Sequence, residues 1–181
     1  MNDYEHIIFP ADFAAKAHEN QKYGKHPYIK HLNHTVEIFN SHLNCIVDDY
    51  QDYYLAGVVE SAAWLHDILE DTEITYEELI HNFGQAVADL VQAVTDESGK
   101  NRKERKAKTL PKVRAYGYLA VAVKLCDRIA NVEHCVAEKN HGLFKMYKKE
   151  HESFKLALYD KEDLLDEMWD HLEDILERGI V

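Results

Sequence analysis

The chain contains little glycine, proline or cysteine. Its 181 residues include 7 glycines and 3 prolines, too few for the many turns of a multi-stranded β architecture. The three cysteines, Cys45, Cys126 and Cys135, form no CxxC pair and no disulfide framework. Cys126 lies in an apolar run and is predicted to be a small core residue. This composition favours a helical protein in a reducing compartment, so we expect a cytoplasmic location.

Long apolar runs are absent as well. No segment approaches the roughly 20 apolar residues that a membrane-spanning helix needs, and residues 1–13 lack the basic and then apolar order of a signal peptide. The net charge of −12 argues against nucleic acid or a membrane as a general partner. Residues 100–114 are the exception, because they hold eight of the 21 lysines and arginines. We predict that this strip either attracts a phosphorylated ligand or forms a solvated helix face or loop.

What is present is helical periodicity along nearly the whole chain. Pro10 suits the first turn of a helix, residues 52–69 predict one mostly buried helix, and Thr75 with Glu78 forms a capping box. Residues 118–137 are apolar for a full helix length, with a buried strand at their start as the competing interpretation. The last predicted helix ends at Gly179 and has an apolar face made of Leu164, Leu165, Met168, Leu172, Ile175 and Leu176. The sequence therefore predicts one all-α domain over residues 1–181.

Residues 61–72, SAAWLHDILEDT, place an imidazole and three carboxylates within six positions. On a helix, Glu70 and Asp71 lie one turn beyond His66 and Asp67. A divalent cation would offset the repulsion between the carboxylates and would hold the histidine neutral. For these residues alone, the alternative is a solvated helix end with capping carboxylates.

Two other segments favour the metal. His31 and His34 lie at the start of a predicted helix, and either could be a ligand. Asp127 and Arg128 interrupt an otherwise apolar helix, and Asn131 follows one turn later. A buried aspartate needs a partner, which could be Arg128, a metal or both, so a structural ion pair is the alternative here.

Together these residues resemble the HD superfamily of metal-dependent phosphohydrolases. Within it they are most similar to the alarmone-hydrolase branch, which comprises the hydrolase domains of RelA/SpoT proteins and their small stand-alone relatives. The resemblance covers about residues 11–135, and the C-terminal helices at 140–179 lie beyond it. Its motifs are PYIxH at 27–31, HDxxEDT at 66–72, FG…V…LV…VT at 83–95 and KLxDRxxN at 124–131.

The resemblance implies one divalent ion, usually Mn²⁺, bound by His31, His66, Asp67 and Asp127. It also implies that Glu70 and Asp71 orient the attacking water or carry its proton, and that the reaction releases pyrophosphate from the 3′ position of guanosine 3′,5′-bis(diphosphate), the alarmone of the stringent response. The expected substrate-binding residues are Lys22, Lys25, Asn131, Lys112 and Arg114. The last two come from the basic strip and its position.

The chain departs from the family pattern around the nucleotide. Lys22 and Lys25 flank Tyr23 where an arginine–lysine pair is usual, Leu32 replaces a proline, and Ala130 replaces a histidine. These changes keep two alternatives open: hydrolysis of another nucleotide, such as a deoxynucleotide or a phosphorylated dinucleotide cofactor, and a non-catalytic nucleotide-binding role. A homo-oligomer also stays open.

The remaining histidines and tyrosines are given structural roles. Tyr23 and Tyr28 are predicted to pack in the core or its rim, with stacking on a base as the alternative. His18 is expected to be structural or at the surface, and no partner pattern accompanies three further histidines, which are predicted to be at the surface: His141, His151 and His171.

Overall fold

The computed structural model describes residues 8–47, 53–160 and 164–181, and these ranges are helical apart from one short hairpin. The first helices are α1 Pro10–Ala17, α2 Ile29–Ser41, α3 Leu43–Ile46, α4 Tyr53–Leu65, α5 Ile68–Asp71 and α6 Tyr76–Phe83. They are followed by α7 Gln85–Val94, α8 Arg102–Tyr116, α9 Tyr118–Ala137, α10 His141–Leu158 and α11 Asp166–Arg178. The predicted all-α class is confirmed.

Helix α9 lies at the centre of the fold. It packs against α2, α4, α7, α8, α10 and α11. Its side chains are buried on nearly every face, which is the pattern of a core helix. The helix begins directly after Gly117, so the strand considered for its start does not form. Asp127 is therefore held in the middle of a rigid, fully surrounded element.

The single helix predicted over 52–69 is wrong at its C-terminal end, from residue 66 onward; residue 52 itself lies outside the described ranges. Helix α4 ends at Leu65, and the one-turn α5 begins only at Ile68. The Nδ1–H of His66 donates to the carbonyl of Ala63 at 2.8 Å, and this side-chain bond replaces a backbone bond at the helix end. Asp67 has φ −99° and ψ −2°, in the sparsely used region between helix and strand. The break turns both side chains toward the interior.

Two helix termini follow the sequence closely. Thr75 and Glu78 exchange both bonds of the predicted capping box, and α11 is followed by Gly179 at φ 71°. The apolar face predicted for α11 is buried except at Leu164, which is 48% exposed because the helix starts only at Asp166.

The histidine predictions for the C-terminal half are mixed. His141 is exposed, as predicted. His151 is buried and lies 3.0 Å from Glu173 of α11, so its predicted surface position is wrong. His171 is half-buried between His42, which follows α2, and Glu133 of α9, so its predicted surface position is only partly right.

The hairpin precedes α2. Strands β1 (Lys22–Tyr23) and β2 (His26–Pro27) pair antiparallel, and Gly24 turns between them at φ 60°, a conformation that glycine adopts without strain. The hairpin carries Tyr23 to within 4.7 Å of the His31 ring, centroid to centroid. Nothing in the helical periodicity indicated these strands. Among the described residues, no helix combines the length and the apolar character that crossing a membrane requires.

Candidate metal centre and phosphate-binding cavity

Four side chains that are far apart in sequence converge on one point. His31 Nε2 lies 3.3 Å from His66 Nε2, 3.5 Å from Asp67 Oδ2 and 3.4 Å from Asp127 Oδ1. His66 Nε2 lies 3.0 Å from Asp67 and 3.7 Å from Asp127. Both histidines are at most 2% exposed. The residues come from α2, the α4–α5 junction and α9, so three parts of the fold meet here.

The surroundings fix the orientation of these groups. His66 donates Nδ1–H to the carbonyl of Ala63, so the lone pair of the neutral imidazole is on Nε2. This nitrogen faces the other three residues. Tyr28 donates its hydroxyl to Asp67 Oδ2 at 2.5 Å. Asn131 donates from Nδ2 to Asp127 and accepts the Tyr23 hydroxyl at 2.7 Å. Each carboxylate is thus held by a neutral donor that leaves its charge in place.

The pKa values show how strongly the charges are coupled. Burial lowers the pKa of His31, but hydrogen bonding with Asp127 and Asp67 raises it to about 9. Burial raises the pKa of Asp127, but His31 and His66 hold it well below its ordinary value. The protein therefore presents two ionised carboxylates against two imidazoles, and buried carboxylates need positive charge beside them, from a protonated imidazole or a metal ion.

The donor set fits a divalent metal. The two imidazole nitrogens lie 3.3 Å apart, and each lies 3.0–3.7 Å from one oxygen of Asp67 and one of Asp127. Borderline-to-hard divalent ions bind such nitrogen and carboxylate donors, and the donor atoms of His31, His66 and Asp67 are mutually close enough to hold one ion. The Nδ1 atom of His31 is buried and has no hydrogen-bond partner among the described residues.

Glu70 and Asp71 lie beside the four ligands and line the same cavity. Glu70 accepts the backbone N–H of Asp96, and desolvation raises its pKa against the opposing charge of Lys124. Asp71 accepts a bond from Gln21 at 2.8 Å, and Gln21 is held in turn by the buried His18 at 2.6 Å. His18 therefore has the structural role that we expected.

The cavity lining also carries many basic side chains. The cavity has a volume of about 220 Å³, and its cationic lining comes from α8 and α9: Arg102, Arg105, Lys106, Lys124 and Arg128. Three of these cations contact Asp96, and the other two contact Glu150. Five cations thus share two carboxylates, Asp96 and Glu150, which leaves positive charge available to a bound phosphate.

Arg128 has a different partner from the one that the sequence offered as an alternative. Its guanidinium lies 3.5 Å from Glu150 and over the rings of Phe154 and Tyr147, at 4.3 and 4.8 Å. Asp127 faces the histidines instead. The aspartate is therefore left for the metal ligand cluster and is not consumed by a structural ion pair with its neighbour.

The other sequence candidates lie in different places. His34 contacts Glu133 at 2.7 Å, away from the cluster. Lys25 pairs with Glu138 at 2.6 Å, and Lys22 is an exposed strand residue. Lys112 is bound by the carbonyl of Thr95 and by Glu97.

The fourth basic candidate is also bonded elsewhere. Arg114 is held by the carbonyls of Ala157 and Tyr159. The structure therefore brings together the metal set, Glu70, Asp71 and Asn131, and it leaves all four predicted basic residues outside the cavity lining.

Sequence reasoning missed the cations that do line the cavity. Arg102, Arg105 and Lys106 belong to the basic strip and have the i, i+3, i+4 spacing of one helix face, a signal that the composition of the strip obscured. Lys124 is 4% exposed and was hidden inside an apolar run. Asp96 and Glu150, which orient these cations, had no motif of their own.

The family model described as HD domain matches residues 11–154. The guanosine-3′,5′-bis(diphosphate) 3′-pyrophosphohydrolase MESH1 of Danio rerio is 34% identical over 128 residues, covering 70% of this chain and 67% of the relative. The human protein of the same name is 33% identical with the same coverage.

A solved structure shares the fold. It belongs to a metazoan orthologue of SpoT described as hydrolysing ppGpp, superposes with a TM-score of 0.67 at 24% identity, and covers 95% of this chain and 94% of its own. Residues 11–154, which match the family model, contain all four converging ligands, both acidic neighbours and the five cavity cations. The chain belongs to the HD-domain family.

Proposed function

We propose that this protein is a metal-dependent phosphohydrolase that removes pyrophosphate from the 3′ position of guanosine 3′,5′-bis(diphosphate). The observation that carries the proposal is a single cavity whose lining combines metal-type ligands with five cations. Three of the four ligands line it, namely His31, Asp67 and Asp127, and His66 lies within 3.7 Å of all three. This arrangement suits a polyphosphate chain, whose reacting phosphorus needs an electrophilic centre and whose remaining oxygens need positive charge. The substrate is proposed by analogy with the MESH1 relatives, which carry that activity in their names.

The ion would be held by His31, His66, Asp67 and Asp127. When bound, a divalent cation supplies Lewis-acid chemistry at a phosphoryl oxygen and lowers the pKa of neighbouring water. Tyr28 and Asn131 keep the two carboxylates oriented, and Ala63 keeps the His66 tautomer fixed. We propose Mn²⁺ as the ion.

Glu70 is the residue that we assign to proton transfer. Its raised pKa keeps it closer to the working pH than an ordinary carboxylate, which favours exchange of a proton with water. Asp71, anchored by Gln21, orients the water from the other side. The pair would thus divide base and positioning roles.

The size of the cavity limits what it encloses. About 220 Å³ is less than the roughly 300 Å³ at which small-molecule pockets begin. The cavity therefore accommodates the diphosphate group, and the nucleoside lies at its mouth. Asn131 and Tyr23 lie on the lining and are the groups that we assign to contact with the sugar or the base.

A nucleotide panel tests the proposal. Purified protein with Mn²⁺ is given the alarmone, deoxynucleoside triphosphates and a phosphorylated dinucleotide cofactor, and the release of pyrophosphate or phosphate is measured. We expect pyrophosphate from the alarmone, with a kcat/KM at least tenfold above that for any other substrate. Absence of alarmone hydrolysis with turnover of another nucleotide would establish the alternative enzyme.

A nucleotide that binds without turnover would establish the non-catalytic role instead.

The cytoplasmic setting is part of the same proposal, since Cys126 and Cys135 are buried thiols that suit a reducing compartment. Light scattering of the purified protein decides between a monomer and a homo-oligomer.

A further inference from the structure

A second group of ligand-type side chains lies at the opposite end of α2 from His31. His42 follows the last turn of α2, Cys45 lies on α3, and Glu167 lies in the first turn of α11. One donor atom from each of the three falls within 4.8 Å of the other two. Since α2 rises about 1.5 Å per residue, this group is about 16 Å from His31 along the helix axis. It is thus separate from the cavity described above.

A fourth ligand-type side chain lies next to His42. His171, one turn after Glu167 on α11, places its Nδ1 2.9 Å from His42 Nε2. Its other nitrogen, Nε2, lies 3.1 Å from the carboxylate of Glu133 on α9. A carboxylate is an acceptor only, so it fixes the proton of His171 on Nε2 and leaves the lone pair of Nδ1 directed at His42.

This carboxylate–histidine pairing is the arrangement that commonly orients a metal-bound imidazole. Glu133 is itself fixed by His34, at 2.7 Å on its other oxygen. The orientation of His171 is thus imposed by α2 and α9 before any ion arrives. The two imidazoles then face each other with a single proton between them, in the place that a cation would take.

We propose that His42, Cys45, Glu167 and His171 form a zinc site that joins the start of α11 to the α2–α3 corner. The donor set comprises one thiolate, two imidazoles and one carboxylate. Sulfur together with nitrogen favours Zn²⁺ over the harder ions, and four protein ligands are the number found in closed, structural zinc sites.

The ligand types also separate this site from the first one. The cluster around His31 offers only nitrogen and oxygen donors, whereas the second group contains sulfur. Glu167 is exposed and the two histidines are half-buried, so an ion can enter without opening the core. The ion would stabilise the packing of α11 and would take no part in hydrolysis.

Cobalt(II) distinguishes the sites because a cobalt–thiolate bond gives a sulfur-to-metal charge-transfer band in the near ultraviolet. The full chain, freed of metal by a chelator, is titrated with Co²⁺. We expect this band to saturate within two equivalents, because the first cluster can also bind Co²⁺, and to disappear when excess Zn²⁺ is added. The band should be lost in Cys45→Ala and reduced at least fivefold in His42→Ala and His171→Ala.

Two control variants accompany the titration. Cys135→Ala removes a different thiol, and Asp127→Ala damages the first site; both should keep the band. Circular dichroism checks that each variant is folded. A hydrogen-bonded histidine pair without metal affinity would give no band at stoichiometric Co²⁺, and a band that survives Cys45→Ala would place the thiolate elsewhere. Either result overturns this proposal and leaves the hydrolase proposal untouched.

Discussion

Glu70 and Asp71 are adjacent in sequence but have different partners in the structure. Glu70 accepts a backbone N–H, and burial raises its pKa against the lowering effect of Lys124, whereas Asp71 is fixed by Gln21. We predict that Glu70→Gln lowers kcat about 100-fold or more, the usual effect of losing a proton-transfer group. Manganese affinity, measured by calorimetry, should stay within about twofold, because Glu70 is not one of the four converging ligands.

Glu73→Gln is the matched control, since Glu73 is an exposed glutamate three residues further on. Its kcat should equal that of the unmodified protein. Equal activity of the Glu70 and Glu73 variants would remove Glu70 from the chemistry and would leave Asp71 as the remaining candidate.

At this scale, site residues were predicted correctly where they belong to an ordered motif and wrongly where they were chosen from a charged segment alone. The four metal-type ligands lie in ordered motifs, and the structure brings them together. Lys112 and Arg114 were chosen from a basic strip, in which charge alone does not identify the residues that face inward. Each residue of a helix points about 100° from the last, so the helix phase decides which cations reach the cavity, and that phase is set by packing against α9 and α10.

At the scale of elements, α8 presents opposite faces to the cavity and to solvent. Lys106 lies on the cavity lining, 3.0 Å from Asp96, whereas Lys108 contacts Glu104 and the carbonyl of Ser98. We predict that Lys106→Met lowers kcat/KM for the alarmone about tenfold or more, because a charged contact to a phosphate is lost.

Lys108→Met removes the same charge from the same helix and should change kcat/KM less than twofold. Steady-state kinetics of the two variants, measured at one ionic strength, give the comparison. Equal losses in both would mean that α8 acts only through its overall charge.

One carboxylate of α10, that of Glu150, forms ion pairs with both α8 and α9. Glu150 bonds Arg102 at 2.9 Å and lies 3.5 Å from Arg128. Burial raises the pKa of Glu150, but Arg102 lowers it by a larger amount, so the folded-state pKa lies below the ordinary value of 4.5. The ion pairs therefore stabilise the fold fully above about pH 4.5, and this contribution is lost as the pH falls through the folded-state pKa.

We predict that Glu150→Gln reduces the free energy of unfolding by on the order of 1–2 kcal/mol at pH 7 and that the difference shrinks below pH 4.5. Urea titrations between pH 3 and 7 measure it. Glu152→Gln, an exposed carboxylate two residues away, should show no such pH-dependent difference. A Glu150 effect that stays constant down to pH 3 would contradict the ion-pair account.

Elements were predicted where local signals are strong and missed where tertiary contacts decide. The capping box at Thr75 and the end at Gly179 depend on neighbouring residues alone, and both were predicted. The break after Leu65 depends on His66 turning inward to meet His31 and Asp127, which are distant in sequence. Helical periodicity continues through that break and cannot reveal it.

At the scale of the whole molecule, the helical class and the apolar helix over residues 118–137 follow from composition and apolar pattern. The relative placement of the helices does not, because ridges and grooves on many apolar faces fit together in several ways. The hairpin at Lys22–Pro27 is similar: two residues per strand carry no usable alternation, and Tyr23 is held there by contacts with His31 and Asn131.

The four metal-type ligands come from α2, the α4–α5 junction and α9, so an ion bound there connects the N-terminal half to the core helix. Such an ion binds only the folded chain and stabilises it by about 2.7 kcal/mol at a hundredfold excess over its Kd. For a chain of 181 residues, we predict that Mn²⁺ raises Tm by about 5–10 °C. In Asp127→Ala the shift should vanish while circular dichroism stays helical; Asp174→Ala, which removes an exposed carboxylate of α11, should keep it. A manganese shift that survives in Asp127→Ala would contradict the assignment of Asp127 as a ligand.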